Sequence, residues 1–127
     1  MIINDSYNAN PDSYLPALET LEHIAEKNHS RKIVVFGDML ELGLNGEALH
    51  QDLMFNLLEY NVDGIFTLGE LTSHGAALLR QRGYQNVFSF NSHDKLGKAL
   101  RDFMRPGDII LIKGSRGMQM EKVLAYL

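Results

Sequence analysis

The chain has 127 residues, enough for one compact domain with a real core, and its 45% hydrophobic and 22% charged composition is that of an ordinary soluble globular protein. A formal net charge of −4 leaves no electrostatic footprint for nucleic acid or an anionic membrane. With no cysteine, disulfides, thiolate catalysis and cysteine-ligated zinc are excluded, and no apolar run approaches the ~18 residues of a membrane span.

The first strand-like run, residues 1–3, opens directly at the first residue, as expected of a piece cut at a domain boundary. No signal-peptide pattern precedes it, so a cytoplasmic location is the expectation. Asn10-Pro11 then reads as a helix start, an Asn cap followed by Pro at the first helical position. Leu15, Leu18, Leu21 and Ala25 recur at helical spacing behind it. Residues 32–36 form a second strand, and Leu49, Leu53 and Leu57 a second helical stripe. Residues 64–68 form a third strand, followed by a helix marked by Leu71 and Leu78. Residues 86–90 are the fourth strand, and Asn91-Ser92 can cap a helix carrying Leu96, Leu100 and Phe103. Arg105-Pro106-Gly107-Asp108 is a turn into the fifth strand, residues 108–112. Met120, Val123, Leu124 and Leu127 mark a last helix.

Strands 32–36 and 108–112 are apolar on consecutive residues, as strands buried on both faces of a parallel sheet require. Strict alternation with short connections predicts an α/β fold: a Rossmann-like, doubly wound, mostly parallel open sheet with helices on both faces, one domain over 1–127. Such sheets bind ligands beyond the carboxyl ends of their strands. Three of those ends carry unusual residues.

The first is Asn4-Asp5-Ser6-Tyr7-Asn8-Ala9-Asn10-Pro11-Asp12-Ser13. Asp5 is suited to hold a metal-bound water or to orient a phosphate-binding group, Tyr7 offers a flat face for a base, and Asn8 and Asn10 can bond to ring edges or ribose. The same residues also suit an Asx-rich turn that caps a helix. The second is Gly37-Asp38-Met39-Leu40-Glu41-Leu42-Gly43, with two carboxylates and apolar residues that fit either a partner or substrate wall or a loop folded on itself. The third is Lys113-Gly114-Ser115-Arg116-Gly117, two cations, a hydroxyl and two glycines before the last helix, an expected anion site. It lacks the spacing of a triphosphate-cradling loop, and no G-x-G-x-x-G follows the first strand, so a carboxylate or a distant phosphate is the better ligand. His23, His29, His50, His74 and His93 have no metal-binding spacing, and no metal site is expected; His50 either supports the second loop or is a plain helical histidine.

Together, N-D-S-Y-N-A-N-P-D-S at 4–13, G-D-M-L-E-L-G at 37–43, His50 shortly after, and K-G-S-R-G-M-Q-M-E-K-V at 113–123 resemble the C-terminal domain of the Mur ligases. The resemblance is strongest to the members that join D-alanyl-D-alanine to UDP-N-acetylmuramoyl-tripeptide in peptidoglycan precursor synthesis. It implies a three-domain, ATP-dependent enzyme working through an acyl phosphate, with ATP and Mg²⁺ bound mainly by a central domain absent from this chain. It implies that the chain is inactive alone, carries no catalytic residue of its own, and in the whole enzyme meets its central domain and small-molecule substrates, as a monomer without nucleic-acid or membrane partners. Matched by position, Asp5, Tyr7, Asn8 and Asn10 fall on the nucleotide side. Lys113, Gly114, Ser115 and Arg116 fall where the incoming dipeptide's carboxylate is held, and Asp38 and Glu41 near the dipeptide or a domain interface. The run Gln51-Asp52-Leu53-Met54-Phe55 lacks the glycine the family shows after its histidine. A stand-alone nucleotide-binding or regulatory module of the same fold is the alternative; a receiver or flavodoxin-like domain lacks its acidic pair or its phosphate loop here.

Overall fold

A computed structural model describes residues 1–6, 11–40 and 43–127. Five strands, β1 (Ile2–Asp5), β2 (Lys32–Gly37), β3 (Gly64–Leu68), β4 (Val87–Phe90) and β5 (Ile109–Lys113), form one sheet in the order β1-β5-β2-β3-β4. Every pairing is parallel. Four α-helices alternate with them: α1 (Pro11–Asn28), α2 (Gly46–Glu59), α3 (Glu70–Gln81) and α4 (His93–Phe103). The expected doubly wound α/β sheet is present, and every expected strand lies within two residues of its place.

The two faces of the sheet bury separate cores. Val34, Phe36, Ile65, Val87, Ile109 and Leu111 point toward α1, α2 and α3. Ile33, Val35, Phe66, Ile110 and Ile112 point toward α4 and the chain's last turns. This parity is the period-two alternation of strands, hidden in the sequence because both sets are apolar. On the first face Tyr14 meets Phe36 edge-on, ring centroids 4.4 Å apart.

The inner faces of two helices differ from expectation. In α1 the buried stripe is Tyr14, Leu18, Leu21 and Ala25, while Leu15 is 44% exposed. In α3 it is Thr72, Gly75, Ala76 and Leu79, with Leu71 and Leu78 only half-buried. Small residues face inward because α3 packs closely on α2: a Cβ at Gly75 would lie 2.6 Å from Met54 Cγ.

The expected last helix is not an α-helix. Arg116–Met118 and Met120–Tyr126 are 3₁₀ turns separated by Gln119, a left-handed residue at φ 50°. Met120 and Val123 are buried at the spacing of three that a 3₁₀ helix requires. So the loop after β5 enters a single tight turn, without the aligned amides of an α-helix, and the helix-dipole argument for an anion there lapses. No described helix is long and apolar enough to cross a membrane.

Candidate functional site

Because β5 inserts between β1 and β2, the three polar segments emerge from three adjacent strand ends. Asp5 is in register with Lys113, and Lys113 with Phe36. The connection from β2 runs over one face and that from β5 over the other, which opens a crevice where such sheets take ligands.

The loops after β2 and β5 are stitched together. The Ser115 amide donates to the Asp38 carbonyl at 3.1 Å, and the Leu40 amide donates to Ser115 Oγ at 2.7 Å. The Ser115 hydroxyl hydrogen is left to donate outward. Gly114 suits this proximity: a Cβ there would lie 2.5 Å from Met120 Cγ and 3.1 Å from Gly37 Cα, so both neighbours would have to move.

Asp38 is 6% exposed, and its carboxylate faces α3. It accepts from the Thr72 amide at 2.8 Å and the Leu71 amide at 3.0 Å. Those are the amides an N-cap residue satisfies, yet the N-cap residue itself is Gly69, with no side chain to do so. Gly69 has φ 116°, and a Cβ there would meet an Asp38 carboxylate oxygen at 2.5 Å. Asp38, named on the substrate side by resemblance, caps a helix from the neighbouring strand.

His50, 2% exposed, holds the same loop from below. The Met39 amide donates to Nε2 at 2.7 Å, and Nδ1 donates to the Gly46 carbonyl at 2.5 Å. An amide only donates and a carbonyl only accepts, so the ring carries its proton on Nδ1. Of the two readings open for His50, support of the loop is the observed one.

Lys113 is fully buried on the α1 face. Its Nζ donates to Asp5 Oδ2 at 2.7 Å and lies 4.9 Å from the centroid of the Tyr14 ring. Burial, and then the charges of Asp38 and Asp5, push the Tyr14 phenol up. Asp5 remains 37% exposed at its side chain, so it faces both this buried cation and solvent. Arg116 is exposed, and no ion pair of its guanidinium is found among the described residues. Of the two cations expected to make the anion site, Arg116 reaches the surface and Lys113 does not. Tyr7, Asn8, Asn10 and Glu41 lie outside the described residues. No cluster of three or more His, Asp or Glu side chains able to hold a metal is found among the described residues.

A shallow depression of about 560 Å³, beyond the ends of β3 and β4, was not anticipated; Glu70, Ser73, Ser89, Asn91, Lys95 and Met118 line it. The connections after β3 and β4 cross opposite faces, a second switch point. The rule that pointed to the other strand ends covers these two as well; their residues simply looked unremarkable in sequence.

Residues 1–116 match the family described as Mur ligase, glutamate ligase domain. The chain is 34% identical over 127 residues to UDP-N-acetylmuramoyl-tripeptide–D-alanyl-D-alanine ligase of Bacillus subtilis, covering 99% of this chain and 27% of that protein. The Rickettsia prowazekii enzyme of the same name is 33% identical over 125 residues, covering 98% and 27%. Among solved structures, MurF from Acinetobacter baumannii superposes with a TM-score of 0.77 at 30% identity, covering 95% of this chain and 26% of the other. MurF ligase from Thermotoga maritima in complex with ADP shares the fold, with a TM-score of 0.77 at 24% identity, covering 98% and 27%. The chain thus spans about a quarter of the length of these relatives. On the strength of that match and these identities, it belongs to the Mur ligase family.

Proposed function

We propose that residues 1–127 are the C-terminal domain of a cytoplasmic, monomeric, ATP-dependent ligase that joins D-alanyl-D-alanine to UDP-N-acetylmuramoyl-tripeptide. The observation that carries the reading is the identity of 34% along the whole chain to an enzyme of that name, with polar loops gathered at three adjacent strand ends. In this reaction the γ-phosphoryl group of ATP passes to the tripeptide carboxylate, giving an acyl phosphate and ADP. The dipeptide amine attacks the acyl carbon, and the tetrahedral intermediate expels phosphate. This chain supplies binding and orientation, which contribute much of the rate when two reactants must be held together. By resemblance, ATP and Mg²⁺ are held mainly by the central domain of the whole enzyme.

By resemblance, Asp5, Tyr7, Asn8 and Asn10 stand on the nucleotide side. On the dipeptide side, by resemblance, stand residues 114–117 and Glu41; Lys113, buried at the end of β5, does not reach that surface. There Gly114 and Ser115 set the loop's shape, and Arg116 is the exposed group able to take a carboxylate as a bidentate pair. The depression beside it offers both Glu70 and Lys95 to a zwitterionic dipeptide.

The test is Arg116→Lys in the full-length enzyme. Lysine keeps the charge and loses the fork, so the dipeptide KM rises roughly ten- to a hundredfold, as ~1.5–3 kcal/mol of charge-assisted bonding implies. The KM for ATP stays put. An unchanged dipeptide KM in a folded variant overturns the clamp.

A further inference from the structure

The K-G-S-R-G loop begins with a lysine whose ammonium never reaches the loop's surface. The Lys113 side chain is 0% exposed. Its Nζ lies over the Tyr14 ring and on Asp5 Oδ2, 108 residues away in sequence and one strand away in the sheet. A fully buried cation is costly unless it is paired and bonded, and an apolar residue would fill this core position without that cost. Asp5 is the opposite case: its side chain is 37% exposed, so it needs no buried partner to stay in water. The arrangement therefore favours orientation over stability. One carboxylate oxygen, Oδ2, meets Lys113, and the group keeps part of its surface in solvent.

We propose that Lys113 is a positioning residue of the nucleotide side: its buried ammonium orients the Asp5 carboxylate, and that bond ties the end of β5 to the end of β1. The strand end that leads into the loop named for the incoming substrate thus also sets the geometry of the nucleotide wall, while Arg116, three residues on, is exposed. This rests on the reading of Asp5 as a nucleotide-side residue.

The test is a double-mutant cycle in the full-length enzyme with Lys113→Met, Asp5→Asn and the pair. Titration calorimetry reads the affinity for ADP, and steady-state kinetics reads the KM for D-alanyl-D-alanine. K113M is expected to weaken ADP about tenfold, the effect of losing one charge-assisted orienting bond. Its dipeptide KM stays within about twofold of wild type, and the double variant binds ADP no more weakly than D5N alone, as expected for a residue acting through its partner. A raised dipeptide KM with unchanged ADP affinity overturns the proposal, as does an ADP loss that adds fully to that of D5N. If D5N itself binds ADP as wild type does, the nucleotide-side reading of Asp5 falls, and this proposal with it. Should K113M fail to fold, Lys113→Gln takes its place in the same cycle, and the same outcomes decide.

Discussion

The Met39 amide donates a hydrogen bond of 2.7 Å to Nε2 of His50, and both residues are almost fully buried. The imidazole thereby links the loop after β2 to the first turns of α2, where Nδ1 donates to the Gly46 carbonyl. The loop carrying Asp38 is held in place by a side chain eleven residues away from Met39.

Replacing His50 separates volume from bonding. His50→Phe fills the space and leaves the buried Met39 amide without an acceptor, so stability falls by about 1–3 kcal/mol. His50→Ala adds a cavity and falls further, to about 2–4 kcal/mol. Denaturant unfolding of each variant measures both steps. A Phe variant as stable as wild type would mean that the two bonds contribute nothing.

Asp38→Ala tests the cap on α3. The Leu71 and Thr72 amides lose their acceptor, which costs about 1–2 kcal/mol, the value of an N-cap. Hydrogen exchange at those two amides accelerates more than elsewhere in α3. Unchanged exchange together with a raised dipeptide KM in the full-length enzyme would show the carboxylate to be a substrate ligand instead.

At the opposite end of the sheet, Arg31 Nε and Nη2 donate to the two carboxylate oxygens of Asp108 at 2.9 and 2.7 Å. Nη2 also donates to the Phe103 carbonyl, and the guanidinium lies 4.8 Å from the Phe103 ring centroid. The bonded guanidinium holds the Asp108 carboxyl below the usual carboxylate range. A group whose pKa is depressed by folding binds its proton more readily when unfolded. Its stabilising contribution is complete above the unfolded value, near pH 4, and drains away as pH falls through the folded one. Arg31→Met therefore costs about 2–3 kcal/mol at pH 7, and the gap to wild type narrows below about pH 4. Urea unfolding at pH 7 and pH 3 checks the sign: a gap that is constant or widens in acid contradicts it.

By itself the sequence determined where the strands lie, because short apolar runs, four residues long in 33–36 and 109–112, bounded by turn signals and alternating with helical stripes, have few other uses in a chain of this length. It also determined which strand ends were chemically unusual, since Asn4–Ser13, Gly37–Gly43 and Lys113–Gly117 are polar or glycine-rich where a bare connection would suffice. Tertiary structure alone decided what those residues touch. Ile109 to Ile112 are all apolar, so nothing in the local pattern says which face Lys113 takes. Its place follows from the insertion of β5 between β1 and β2, which brings it to Asp5. Asp38 reads as a surface carboxylate until β3 pairs with β2 and sets Leu71 and Thr72 within reach. The inner stripe of α3 runs through Thr72, Gly75 and Ala76 because close contact with α2 selects small residues. Periodicity registers the hydrophobicity of a helix face, and it holds no record of how near the next helix comes.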